Sequence, residues 1–345
     1  MVDQNYTFRT TTPAELQACE IEAWEQLSIN VPYLRSPFLS VHYASAVAAS
    51  GMDVRICILY RDNVICGFLP YQYRSRFSAW SRSAERVGGE MTDYFGLIAN
   101  PDLNITQSSL LKHANINYLS FSHLDERQLH YGLSGEQPRI GLRILLNSEL
   151  ESPISGINSV DKKYLQNSEK RQRKLIEEIG PIKFDFDVQQ NRQELLEMLI
   201  HQKRIQYNKT RTPDALREQW KRTLLCKLSE YRHGTCRGIL STMYAGDQWV
   251  AMHFGIFGNG VLHLWFPVYN PEVAMYAPGR LLLHHIIQST RKYLIHTIDR
   301  GEGDTPRKRE LENQQYLLYR GEWTNKSAAS QITKGIQCLK WRLGI

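Results

Sequence analysis

Two tandem α+β halves, each built on a mixed sheet, are what this sequence predicts, and two observations carry the expectation. From Ile182 onward the chain reads β-α-α-β-β-β-α-β. The halves also echo each other: VRICILYRDNVICGFLPYQYR and CRGILSTMYAGDQWVAMHFGIF are both strand–turn–strand units with a small residue, Gly67 or Ala251, early in the second strand. A length of 345 residues suits two ordinary domains of about 100–200 residues, placed here at 1–155 and 156–345. With 42% hydrophobic and 22% charged residues, the chain has enough apolar side chains for a sizeable core and is not of disordered composition.

In order along the first half, Pro13–Leu27 reads as a helix and Ser40–Ala49 as a second, with Ser40 a cap after the Pro-Phe turn. Val54–Tyr60 and Val64–Tyr73 are β-rich runs around the turn Arg61-Asp62-Asn63. A strand at Tyr94–Ile98, a helix at Gln107–His113 and strands at Asn117–Phe121 and Arg139–Leu146 follow. In the second half, Ile182–Val188 is a strand. Arg192–Tyr207 and Pro213–Tyr231 are helices, the latter with Leu216, Trp220, Leu224 and Leu228 at near-helical spacing. A meander, Gly238–Tyr244, Trp249–Phe257 and Val261–Val268, turns at Gly246-Asp247 and at Gly258-Asn259-Gly260. Pro278–Leu294 is a helix, His296–Asp299 and Tyr316–Tyr319 are strands, and Ser327–Arg342 is a final helix.

The formal charge of +7, from 42 Lys+Arg against 35 Asp+Glu, permits anionic partners and selects none. Cys19, Cys57, Cys66, Cys226, Cys236 and Cys338 form no CxxC pair, which favours free thiols in a reducing compartment over disulfides or zinc. No run approaches the ~18 apolar residues of a membrane span, and the start MVDQNYTFRTTTPAEL lacks a secretory n- and h-region. The expected place is the cytoplasm, with peripheral attachment at the inner face of the membrane left open. No HExxH or GxSxG motif is present, and the lone GEG is too short for a nucleotide fingerprint. No metal is expected.

The segment YNPEVAMYAPGRLLLHHIIQSTRKYLIHTIDRGEGDTPRK, Tyr269–Lys308, concentrates the chemistry. A helix N-terminus carries free N–H groups and partial positive charge, and so can hold phosphate. Pro278 suits the first turn, Gly279 permits close approach to the main chain, and Arg280 adds a forked cation. The plain alternative is a well-started core helix. Asp161–Gly180 carries Lys162, Lys163, Lys170, Arg171, Arg173 and Lys174. It reads first as a solvated helix between domains and second as a basic face for phosphates.

The chain resembles the CelD-type acetyltransferases of the GNAT superfamily, found with cellulose and exopolysaccharide biosynthesis, and more distantly the Fem-type peptidoglycan aminoacyltransferases. The matching segments are SPFLSVHYASAVA, GGEMTDYFGLI, SEKRQRKLIEEIG, the stretch Gly246–Ile287 and GEGDTPRKREL. Ala277 stands where the family often has serine, and Arg307 where it often has tyrosine. The resemblance implies two tandem GNAT-like acyltransferase folds. It further implies an enzyme that moves an acyl group from acetyl-CoA or another acyl-CoA to an amine or hydroxyl of a sugar or polysaccharide precursor, beside polysaccharide synthesis machinery. Neither DNA nor a transmembrane segment enters this reading. A charged tRNA donor belongs to the Fem-like alternative, and a non-catalytic scaffold is the third reading.

Donor holding then falls to Tyr276, Pro278, Gly279 and Arg280. The resemblance assigns oxyanion stabilisation to main-chain N–H groups around Phe266–Tyr269. Candidate catalytic residues are His253, whose imidazole is a good proton acceptor near its working pH, Asp299 at a strand end, and Asp304 with Lys308, four apart in the family loop. The alternatives are a core histidine and a surface ion pair worth roughly 0–1 kcal/mol. Tyr316 and Tyr319 are either acids for the leaving thiolate or packing residues. Asp93 and Tyr94 match the family's DY pair and are candidate acceptor-binding residues; the equal alternative is a turn aspartate followed by a strand aromatic.

Overall fold

The computed structural model describes residues 6–146, 162–232 and 234–325, with Gln331 and Gly335 beyond them. The expected final helix, Cys338 and the expected division at 155/156 lie outside the described residues. The chain forms two compact units, one from residues up to Arg139 and from Tyr316 onward, the other from Ile140 to Gln315.

In the first unit the sheet runs β1 (Tyr6–Thr11), β2 (Asp53–Arg61), β3 (Val64–Tyr73), β4 (Ser83–Glu85), β6 (Tyr118–Asp125) and β13 (Gln314–Thr324). The short strand β5 (Ile98–Ala99) pairs with β3. All pairs are antiparallel except β4–β6. Helices α1 (Ala18–Asn30), α2 (Val41–Ala49), α3 (Arg76–Trp80) and α4 (Gln107–His113) complete it. Ser40 caps α2 by accepting from Tyr43 N–H, as its place before the helix predicts. Trp24 is fully buried, stacks on Phe68 and donates its indole N–H to Leu39 O, so its one polar atom is satisfied.

The second unit orders its strands β8 (Ile182–Asp185), β9 (Arg237–Ala245), β10 (Gln248–Gly258), β11 (Val261–Tyr269), β12 (Thr297–Glu302) and β7 (Glu136–Leu145). Helices α5 (Lys162–Glu178), α6 (Arg192–Thr210), α7 (Gln219–Glu230), α8 (Pro278–Ser289) and α9 (Pro306–Arg309) belong to it. The predicted β-α-α-β-β-β-α-β order is present as β8-α6-α7-β9-β10-β11-α8-β12. The core is aliphatic, with Ile239, Met243, Val250, Leu262, Leu281 and Ile298 fully buried.

Several predicted boundaries shift for local reasons. The helix expected over Pro13–Leu27 begins as a single 3-10 turn, Pro13–Glu15, and restarts as α1, where Glu20 accepts from Gln17 N–H. The Tyr94–Ile98 strand reduces to Ile98–Ala99. Upstream, Thr92 donates its hydroxyl to Tyr94 O, and Phe95 N–H goes to His123 O. The Pro213–Tyr231 helix starts only at Gln219, because the Asp214 carboxylate accepts from Leu216 N–H and Arg204 and holds a turn. The Pro278–Leu294 helix stops at Ser289, followed by a 3-10 turn to Tyr293 and a left-handed Leu294.

Candidate active site

At the head of α8, Ala277 is left-handed (φ 54°, ψ 55°), and no side chain caps the helix. The N–H groups of Arg280 and Leu281 turn back to Ala277 O at 2.9 and 3.2 Å. Pro278 has no N–H, which leaves Gly279 as the main-chain donor of the first turn. A Cβ built on Gly279 meets nothing within 4 Å, so its open side faces space. The local sequence explains the geometry: the 3-10 turn Pro271–Tyr276 must reverse direction before a proline-led helix, and the single left-handed residue accomplishes it.

Cations collect at this helix start. Arg280 donates to Glu310 at 2.8 Å and lies 4.4 Å from the centre of the Tyr164 ring. Arg171 donates to Met275 O at 2.6 Å. Lys174 Nζ stands 6.0 Å from the Tyr276 ring centre and 3.6 Å from Glu178. Tyr276 gives its hydroxyl proton to Glu178, and that bond raises the phenol's pKa. The basic segment is therefore not a solvated linker. Leu175 is fully buried and Tyr164 nearly so, both in the core shared with Leu281 and Leu282, because α5 packs on α8 and the turn before it. In the sequence Arg171 and Lys174 stand in a basic run for which a phosphate role is the second reading. Their proximity to Tyr276 follows from tertiary packing, which no local spacing encodes.

The Gly-Asp loop is brought to the same end. Lys308 Nζ donates to Arg300 O and Glu302 O at 2.6 and 2.7 Å, while Arg300 donates back to Lys308 O at 2.6 Å. Burial lowers the Arg300 pKa, with Tyr164 and Glu310 acting against that shift. Glu310 and Tyr164 thus link Arg280 of the helix electrostatically to Arg300 of the loop. Asp304 does not pair with Lys308. Its carboxylate takes a bidentate bond from Arg309, which lowers its pKa, and Lys308 is occupied by main-chain carbonyls.

Behind the helix, β11 pairs with β12 in parallel only from Val261↔Thr297 to His263↔Asp299. From Leu264 to Tyr269, β11 continues against β10 alone, which opens the edge where the resemblance placed the oxyanion donors. Trp265 is an extra residue in the ladder between Gly255↔Leu264 and Phe254↔Phe266. Its N–H donates to His253 Nε2 at 3.2 Å. That bond places the neutral ring's proton on Nδ1, a buried atom with no hydrogen-bond partner among the described residues. Burial, then His263, then Lys203 hold the His253 pKa down to about 3. A base needs an available lone pair, and this one is committed to a strand bulge. In this geometry the Nε2 lone pair is engaged by the main chain, which differs from the expectation of a free proton acceptor.

Asp299 is buried and committed as well: one oxygen accepts from Gly301 N–H at 2.8 Å and the other from Arg143 at 3.1 Å. Both bonds hold the β12 end and the loop that follows it.

Asp93 and Tyr94 lie in the first unit. Tyr94 is buried, stacked on Tyr316 at 6.2 Å and facing Phe38 at 6.4 Å. Asp93 is partly exposed, with His123 Nε2 at 3.8 Å. Tyr316 is buried by this stacking, which favours its packing role.

Comparison with known proteins fits the architecture. Residues 162–309 match the family model described as an acetyltransferase (GNAT) domain. No curated protein matches. Among solved structures, the chain is similar to FemX, with a TM-score of 0.60 at 10% identity over 91% of this chain and 96% of the other. It is also similar to the C-terminal domain of a putative lysylphosphatidylglycerol synthetase from Agrobacterium fabrum, with a TM-score of 0.53 at 9% identity over 93% and 95%. A tandem GNAT protein from the clavulanic acid biosynthesis pathway gives 0.52 at 10% identity over 94% and 100%. At these identities the structural likeness speaks for the fold: a mixed α/β, tandem GNAT-like architecture. Within that fold, residues 162–309 of the second unit are the part that matches the acetyltransferase (GNAT) domain model. Among the described residues no helix is long and apolar enough to cross a membrane.

Proposed function

We propose that the protein transfers an acyl group from acyl-CoA, acetyl-CoA foremost, to an amine or hydroxyl of a sugar or exopolysaccharide precursor by direct transfer in a ternary complex. The observation that carries the donor half is the uncapped start of α8, with a bare Gly279 among Arg171, Lys174 and Arg280. A pyrophosphate there would take the Gly279 N–H and exchange charge with Arg280, while Pro278 sets the helix direction. Tyr276 supports the site through Glu178. Lys308 and Asp299 hold the loop, His253 holds the strand bulge, and Asp304 with Arg309 braces the short α9. Asp93 and Tyr94 are the proposed acceptor-binding residues. The sugar acceptor and a place beside polysaccharide synthesis machinery rest on the CelD-type resemblance.

A second reading, a donor of aminoacyl-tRNA type, draws on the likeness of fold to FemX and on the basic helix α5. Calorimetric titration with acetyl-CoA tests the first reading. A saturable heat is expected. Absence of heat, together with steeply salt-dependent binding of charged tRNA, would replace it with the second. A non-catalytic scaffold would retain its in vivo function when Gly279 is replaced by glutamate, a position where an added side chain meets nothing within 4 Å.

A further inference from the structure

Lys203 is the one buried amine of the second unit, among its described lysines outside α7, whose surroundings invite a chemical question. It projects from α6, is 9% exposed, and donates to Pro267 O at 3.1 Å and Gln206 Oε1 at 3.2 Å. Its Nζ lies 5.3 Å from the Tyr207 ring centre. Among the described residues no carboxylate stands within ion-pairing distance of it, and burial alone accounts for its lowered pKa of about 8. A buried ammonium normally has a carboxylate partner, because desolvation penalises the unpaired charge.

The place it occupies bears on acyl transfer. Pro267 lies on the part of β11 that has left β12, and it is itself exposed, so the amine sits behind a surface that solvent reaches. Main-chain N–H groups between Phe266 and Tyr269 were the expected oxyanion donors. Proline has no N–H, and the Trp265 N–H is already given to His253. Within that stretch Pro267 is the position with no main-chain donor, and it is the Pro267 carbonyl that the Lys203 cation reaches.

We propose that Lys203 is a catalytic residue, its ammonium donating to the oxyanion that forms on the thioester carbonyl in place of the main-chain donor that Pro267 removes. The lone pair of the acceptor nitrogen or oxygen attacks the carbonyl carbon, and the C=O π electrons move to oxygen beside Lys203. When the oxyanion collapses, the C–S bond breaks and its electrons leave on the CoA sulfur, while the acceptor's proton passes to solvent or to the thiolate. Lys203 ends the cycle protonated as it began. At pH 7 a group titrating near 8 is mostly in the charged form this role requires.

This inference rests on the acyl-CoA reading, and the test separates the two. Thiol release from acetyl-CoA, with water as acceptor, is followed in wild type, Lys203→Met and Lys203→Arg, alongside acetyl-CoA calorimetry and thermal melting. The expected Lys203→Met result is a kcat about 10²–10³-fold lower, the usual loss for one oxyanion donor, with unchanged donor affinity and no loss of thermal stability. In wild type, kcat falls as pH rises through about 8. In Lys203→Arg the decline moves to higher pH because guanidinium stays charged. This arm decides the matter even if Lys203→Met fails to fold, since a merely structural lysine would not shift the alkaline limb. Equal rates in wild type and Lys203→Met, with acetyl-CoA bound by both, overturn the role of Lys203 alone, as does an unmoved alkaline limb in Lys203→Arg. No acetyl-CoA binding by wild type overturns the donor reading beneath it.

Discussion

Replacing Gly279 by glutamate sets fold stability and donor binding against each other. A Cβ at this position meets nothing within 4 Å, so the fold accommodates the side chain. Removing a helix glycine contributes up to about 1 kcal/mol. A carboxylate in the first turn adds roughly 0.3–1 kcal/mol by facing the positive end of the helix. Together they predict a Tm higher by roughly 2–4 °C or more for a unit of this size. Donor binding moves the other way. A carboxylate about 5 Å from a bound phosphate, at an effective dielectric near 20, opposes it by about 3 kcal/mol, and solvent screening reduces this to about half. Acetyl-CoA affinity should therefore fall between tenfold and a hundredfold. Calorimetry and thermal melting on the same preparation read both effects, with Gly279→Ala as the neutral control that gains stability without the added charge. A Gly279→Glu protein that melts higher and binds acetyl-CoA as tightly as wild type would refute the placement of phosphate at this helix.

Three further outcomes follow from the same site. His253 should remain neutral in the folded protein down to about pH 3, as a pH titration of its ring resonances would show. Because the unfolded chain binds this proton below about pH 6.5 and the folded chain does not, stability is full above that pH and falls below it. The slope is up to about 1.4 kcal/mol per pH unit for the one group, measurable as an acid-limb loss absent from His253→Phe. Lys308→Met removes the donor to Arg300 O and Glu302 O. Charge-assisted bonds of this kind contribute about 1.5–3 kcal/mol, so amide exchange in 300–308 should quicken while the β9–β10–β11 core is unchanged; uniform protection would contradict the clamp. The acetyl-CoA affinity should lose no more than about three units of log–log salt slope, since three cations surround the helix start, whereas a tRNA donor requires a steeper dependence.

The legible part of the fold was the part with local causes. Period-2 runs, Gly-Asp and Asn-Gly turns and the Pro-Gly helix start placed β9, β10, β11 and α8 within a few residues. Where a side chain redirects the backbone, as Asp214 does before α7, spacing alone overextends the helix. The site was legible to a similar depth. Pro278 and Gly279 announce a helix start in sequence, but the arrival of Arg171 and Lys174 depends on α5 packing against α8. Asp304 and Lys308 illustrate the opposite case: a separation of four suggested partnership, yet Arg309 lies closer to the carboxylate, and Lys308 finds two carbonyls of the loop. His253 looked like a base because its residue type suits pH 7. The bulge at Trp265, visible only in strand register, removes its free lone pair.

The charge at the α8 start shows why the missing serine hydroxyl at Ala277 need not disable a donor site. Arg280 is held by Glu310 and Lys174 by Glu178, while Arg171 is bonded to a main-chain carbonyl. Three cations against two carboxylates leave a net positive charge of one before the helix end is counted. A bound phosphate need not create a charged pocket from solvent; it exchanges with carboxylates that already keep the arginine and lysine ordered. Such an exchange spares much of the side-chain entropy that two long residues would otherwise lose on binding. One neutral hydroxyl bond contributes about 0.5–1.5 kcal/mol, whereas bonds to charged groups contribute about 1.5–3 kcal/mol each. The loss at Ala277 is therefore no larger than what the Gly279 N–H alone can offer to an anion, while Arg280 exchanges one anionic partner for another. It is at these groups that substitution should decide the donor.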